Sequence, residues 1–186
     1  MCYQGAGFQG APWVQAAKAL ARKNTVTGRT LNVRWPYSQL LINRLKEEEN
    51  RGEPLGGPHA ACANEIVWVI ETPGFSTAGK ETDVLEDLAE RPKRAQYIGT
   101  VEFSHSTEYL TMKEFQAKRG RHCIKEGACF DWDGQKPRFA WHVATVRKVR
   151  KPLLVDHKKP QGGLGRPRSV AGILFEPPQP DRLVKK

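Results

Sequence analysis

The chain reads as an α+β protein, a small mixed β-barrel of about five or six strands flanked by short helices. Three observations predict it. Leu31–Arg51 passes from an alternating strand into a short apolar helix. Ile66–Glu71, IVWVIE, is an unbroken β-branched and aromatic run, the pattern of a strand covered on both faces. Tyr97–Phe103 and Arg138–Val149 alternate with a period of two residues, as half-buried strands do.

The rest of the chain is organised around Leu31–Arg51. Leu31, Val33 and Trp35 share one face of the strand; Asn32 and Arg34 share the other. Pro36 suits a first helical residue, whose N–H has no intrahelical partner. Tyr37, Leu41 and Leu45 then form an apolar stripe, widened by Leu40 and Ile42, and the helix runs out at Lys46. Lys46, Glu49, Asn50 and Arg51 follow at the helix exit: a cation, a carboxylate, an amide and a guanidinium within a few residues. Such a group suits recognition or acid–base chemistry; the plainer reading is a solvated helix end.

Before this stretch, residues 1–11 are rich in Gly and Gln and read as a loose arm. Residues 12–23 predict a short helix with Trp13, Ala17 and Leu20 on one face, and Asn24–Arg29 a turn. Residues 1–30 thus form a basic N-terminal arm. Cys2 would become an N-terminal thiol nucleophile on methionine removal, but little else supports that chemistry.

After it, Gly and Pro mark residues 52–65 as a loop. The strand Ile66–Glu71 ends at Pro73–Gly74, and Thr82–Glu90 predicts a short acidic helix inside an exposed insertion at about residues 72–95. In Tyr97–Phe103, Tyr97, Gly99, Val101 and Phe103 share a face. Thr111–Arg119 is a helix with a capping box, Thr111 with Glu114. Leu110 and Phe115 stand where a hydrophobic staple would, and Gly120 where a helix closes. A cationic turn follows, through Arg121 and His122. Phe130–Gly134 is an aromatic turn around Trp132, and Arg138–Val149 the next strand. Arg147 and Lys148 open a basic run. Leu164–Arg168 reads as a loop, Val170–Phe175 as a final strand, and residues 177–186 as a disordered basic tail. The domain proper is therefore 31–176.

The net charge of +10 is uneven. Residues 1–46 hold seven Lys/Arg and no Asp/Glu, residues 47–135 ten and seventeen, and residues 136–186 thirteen and three. Basic ends around an acidic middle suggest a positive face that attracts phosphate backbones, or else two solvated tails. No apolar run is long enough for a membrane span, and no secretory leader is evident, so a cytoplasmic protein with reduced thiols is expected. Cys123 and Cys129, with His122 nearby, make only one loose arm of a metal site, so neither metal nor cofactor is expected. Oligomeric state is not readable.

The order proline, aromatic, apolar helix, then Lys46-x-x-Glu49-Asn50-Arg51 resembles the N-terminal signature of ASCH domains, which belong to the PUA-like superfamily. The resemblance extends through a Gly-x-Val strand, a short helix, the Arg121-His122 turn, the Asp-Trp-Asp-Gly turn and a Trp-x-Val strand, covering about residues 31–51 and 97–155. It departs at Arg44, where the family pattern has glycine. It implies a PUA-like barrel that binds RNA or a modified nucleotide in a cleft beside the sheet. In that reading Lys46, Asn50 and Arg51, with Tyr37 and Trp132 as aromatics, contact the nucleic acid. Arg121, His122, Arg147 and Lys148 supply further basic contacts. Some relatives are hydrolases, either ribonucleases or amidohydrolases of acylated nucleosides. In the latter the motif lysine is paired with a threonine, where this chain has Glu49. An alcohol nucleophile is then missing, and only a Lys46–Glu49 acid–base pair remains for catalysis. An adaptor using the acidic insertion is a third class.

Overall fold

In the computed structural model, residues 26–74, 82, 88–155, 164–170 and 173–177 are described, with the side chains of 164–169 left aside. Six strands make one mixed sheet: β1 (Val26–Arg34), β2 (Glu48–Arg51), β3 (Val67–Thr72), β4 (Gln96–Glu108), β5 (Phe139–Leu154) and β6 (Leu164–Val170). Their order is β2-β5-β4-β3-β1-β6. β1 and β3 run parallel and every other neighbouring pair is antiparallel. Three short helices accompany the sheet: α1 (Tyr37–Ile42), α2 (Met112–Ala117) and α3 (Arg119–His122).

The sheet curls into a half-barrel. Closing the expected barrel requires pairing between β2 and β6, and none joins them among the described residues. β2 is a four-residue edge strand, paired with β5 alone among the described residues.

β3 is covered on both faces, as its uninterrupted apolar run predicts. Val67 and Val69 enter the main core with Leu31, Leu40, Leu41, Val101 and Phe103. Trp68 and Ile70 enter a second core with Tyr97, Val149 and Ile173. Burying each large aliphatic side chain contributes roughly 1.5–3 kcal/mol, so the half-barrel is held from both sides. α1 lies wholly inside, and at Gly99 it comes so close that an added Cβ would stand 2.4 Å from Ile42 Cδ1 and from the Arg147 carbonyl.

Several expectations are corrected. Tyr97 does not share a face with Val101 and Phe103. Val69 pairs with Gly99 and Ile70 with Tyr97, so Ile98 is a bulge residue, and the side-chain alternation changes phase there. Ile98 therefore joins the main core, and Tyr97 the second. α1 ends at Ile42 rather than running to Lys46, because Asn43 and Arg44 turn the chain into β2. Val26–Arg29, expected as a turn, belongs to β1, and Leu164–Arg168, expected as a loop, belongs to β6, which pairs with β1. Of the expected strand at Val170–Phe175, Phe175 makes a single bridge to Val149.

The capping box forms: Glu114 N–H donates to Thr111 Oγ1 at 3.1 Å, and the Glu114 carboxylate accepts from Leu110 N–H at 3.2 Å. The staple does not form, since Leu110 is 79% exposed. Nor does Gly120 close the helix. The chain makes a further turn, α3, and the left-handed residue is Cys123, at φ 58°.

Cys2, the helix expected at 12–23, the tail from 178 and most of the acidic helix at 82–90 lie outside the described residues. The described parts of the insertion lean on the body: Trp35 Nε1–H donates to the Ala89 carbonyl at 3.0 Å, and Thr82 is buried. No described helix is long and apolar enough to cross a membrane.

Candidate functional site

Beside β1 and β2 lies a cavity of about 350 Å³. Its wall includes Asn32 and Arg34 of β1, Tyr37 of α1, Lys46, Glu49, Asn50 and Arg51, together with Phe130 and Arg138. Local sequence explains the gathering. Arg44 turns the chain at φ 57°, so Lys46 re-enters beside the helix it has just left. The sequence resemblance expects glycine at this position, and the positive φ is one that glycine adopts without strain. Glu49 and Arg51 then share a face of β2 by the two-residue alternation of a strand.

The centre is a three-member charge chain. Lys46 Nζ lies 2.8 Å from Glu49 Oε2, and Arg51 Nη2 lies 2.8 Å from Glu49 Oε1. Lys46 and Glu49 are almost wholly buried, at 3% and 4% exposure. Burial alone pushes the Glu49 carboxyl up, but Lys46 and Arg51 outweigh it and hold its pKa below the ordinary carboxylate value. Lys46 Nζ also sits 4.9 Å above the Tyr37 ring, and Arg51 Nη2–H donates to the Asn32 carbonyl at 3.1 Å. Phe130 meets Tyr37 edge-on at 5.5 Å and carries the Arg34 guanidinium 5.1 Å from its ring centre.

The other face of β2 holds a second polar group. The Glu48 carboxylate is fully buried. It accepts from Tyr109 O–H at 2.7 Å, lies 2.8 Å from Arg121 Nη1 and stands 3.6 Å from His142 Nδ1. Burial, reinforced by the Glu48 carboxylate, pushes the Tyr109 phenol pKa up. His142 Nε2 meets Thr107 Oγ1 at 2.9 Å, and its ring stacks on His105 at 4.1 Å.

Of the residues singled out in the sequence, Tyr37, Lys46, Glu49, Asn50 and Arg51 come together at the cavity. Arg121 does not join them; both its ion pairs are to Glu47 and Glu48. His122 and Trp132 are interior. His122 Nε2–H donates to the Phe115 carbonyl at 3.0 Å and its Nδ1 accepts from Ile124 N–H at 3.1 Å, while Trp132 Nε1–H donates to the Lys136 carbonyl at 2.7 Å. Arg147 and Lys148 line a different, smaller cavity of about 250 Å³. There Arg147 lies 4.0 Å from the centre of the Phe175 ring, and Lys148 Nζ–H donates to Asn43 Oδ1 at 3.2 Å.

Arg138, Phe130 and Glu48 were missed as site residues. Arg138 precedes β5 and reaches the cavity because β5 pairs with β2, a long-range pairing with no local signal. Glu71 was missed as well. It is a fully buried carboxylate, accepting from Ser38 Oγ, Gln39 Nε2 and Gln96 Nε2 at 2.8, 2.6 and 2.8 Å. Among the described residues no three His, Cys, Asp or Glu side chains gather to hold a metal.

No protein-family model matches the sequence, and no curated protein matches it significantly. Solved structures do resemble it. The ASCH protein of Zymomonas mobilis superposes with a TM-score of 0.51 at 11% identity, over 74% of this chain and 86% of that one. Two point mutants of the same protein give 0.52 and 0.50, each at 12% identity, over 73% and 74% of this chain and 84% and 88% of theirs. At such identity the likeness speaks for architecture alone: the chain has an ASCH-type fold.

Proposed function

We propose that the cavity binds a nucleotide, either within RNA or as a free modified nucleotide. The observation that carries this reading is the composition of one concave wall. Lys46, Arg51 and Arg138 face a single carboxylate, Glu49, beside the partly buried ring of Phe130. Cationic donors next to an aromatic edge suit a phosphorylated base better than an apolar ligand. Tyr37 is 3% exposed and serves as the floor under Lys46 rather than as a stacking surface.

Hydrolysis is the second reading, favoured by the direct Lys46–Glu49 contact. Two facts weigh against it. Glu49 offers no alcohol nucleophile. Its carboxyl is also held below the usual range, which makes it a weak base at neutral pH.

The test uses a labelled single-stranded RNA at 50 and 200 mM salt, with wild type and Lys46→Ala, checking that the variant still unfolds cooperatively. With two or three phosphate contacts, affinity falls roughly tenfold between the two salts. The RNA stays intact, and the variant binds less tightly. Cleavage by the wild type alone supports the hydrolase. No binding and no cleavage defeats the RNA form of the proposal and leaves free nucleotides to be tried.

A further inference from the structure

Arg138 stands apart from the other half-buried arginines. Arg29 donates to the Ala60 carbonyl, Arg34 lies over the Phe130 ring, Arg51 pairs with Glu49, and Arg119 pairs with Asp131. The Arg138 side chain has neither a hydrogen bond nor an ion pair among the described residues, yet it is half-buried and lines the cavity. Burial pulls its pKa below the usual guanidinium value, and Asp133 and Glu49 favour its charge only from beyond ion-pair distance. A guanidinium still carries its charge under such a shift, so a partly desolvated cation stands without a counter-charge in contact.

The rest of the wall does not supply one. Lys46, Glu49 and Arg51 together sum to one positive charge, and among the described residues Glu49 is the only carboxylate lining the cavity. Its oxygens are already engaged by Lys46 and Arg51. A further donor of this wall, Arg51 Nε, is buried with no acceptor among the described residues. Uncompensated donors of this kind raise the positive potential inside a low-dielectric cavity, where it acts more strongly than in water.

We infer that Arg138 is the anion-gripping residue of the cavity, and that the ligand carries a phosphate group into the site, so that nucleotides rather than nucleosides are bound. This rests on the nucleotide reading for the base, but not for the anion. Arginine suits the task because its planar fork meets two phosphate oxygens at once.

The test has two arms. In the first, thermal unfolding is followed with inorganic phosphate at constant ionic strength, using chloride as control. Phosphate should raise the melting temperature of the wild type, Arg138→Gln should abolish that rise, and Arg138→Lys should keep part of it. In the second, calorimetry compares the four ribonucleosides with their 5′-monophosphates. Monophosphates should bind the wild type at least about tenfold tighter, and the Arg138→Gln variant should lose that preference while keeping its affinity for the nucleosides. A phosphate effect without nucleotide binding upholds the anion site and defeats the nucleotide reading. Phosphate without effect on the wild type, an effect that survives in Arg138→Gln, or nucleosides that bind as tightly as monophosphates overturns the inference.

Discussion

Lys46 Nζ and Glu49 Oε2 lie 2.8 Å apart, and both side chains are almost wholly buried. The two side chains are three residues apart, yet the pair is not a helical one: it joins the segment after the Asn43–Arg44 turn to β2. Desolvating two such ions costs several kcal/mol each, and their contact offsets this only while both are present.

Removing either partner should therefore be costly, and the two losses should not add. Glu49→Gln or Lys46→Met alone is expected to cost about 3–5 kcal/mol, and the double variant less than the sum. Urea unfolding of the four proteins measures this. Because the folded pKa of Glu49 is lowered, its contribution is present above the unfolded value of 4.5 and is lost as pH falls through the folded value. A double variant as unstable as the two single variants combined would show that the pair is not coupled.

His122 gives a second pH dependence. Burial pulls its pKa from 6.5 down to about 4, and its contacts hold it as the neutral Nε2–H tautomer. As pH falls from 6.5 toward 4, the unfolded chain takes up a proton that the fold refuses. Stability should then drop by about 3 kcal/mol across that window and lose no more from this group below it. Imidazole NMR shifts check the assignment, and a midpoint near 6.5 for His122 would refute it.

Gly99→Ala tests the approach of α1 to the sheet. The new methyl would meet the Arg147 carbonyl and Ile42 Cδ1, both at 2.4 Å. The backbone carbonyl cannot give way as a side-chain end can, so a loss of about 1–3 kcal/mol is expected. Thermal unfolding that matches wild type would place the helix farther from β4.

Arg44 tests the turn before Lys46. Its φ of 57° favours glycine, so Arg44→Gly should be neutral or stabilising by up to about 1 kcal/mol. Arg44→Val should lose about 1–2 kcal/mol, since a β-branched residue is poorly suited to that conformation. The order of the three midpoints in urea is the readout.

Much of this architecture was legible in the chain. The doubly covered β3, the short buried helix after Pro36 and the Thr111–Glu114 cap are local patterns, set by alternation, spacing and side-chain reach. The five motif residues that meet at the cavity were legible for the same reason, since they lie within fifteen positions of one another. Leu110 misled because a staple position says nothing of whether its partner's other neighbours leave room: Phe115 turns instead to Tyr109, His122 and Trp132.

By itself the sequence determined β3, the middle of β4, most of β5, the helix after Pro36 and the Thr111 cap, and where Lys46, Glu49, Asn50 and Arg51 stand along the chain. Tertiary structure alone decided that among the described residues the sheet stays open, that Ile98 bulges and changes the phase of β4, that Arg121 is spent on Glu47 and Glu48, and that Arg138 reaches the cavity with no ion pair among the described residues. The physical reason is range. Periodicity and capping act over a few residues, whereas strand pairing and the sharing of counter-charges join β2 to β5 across about ninety positions of chain.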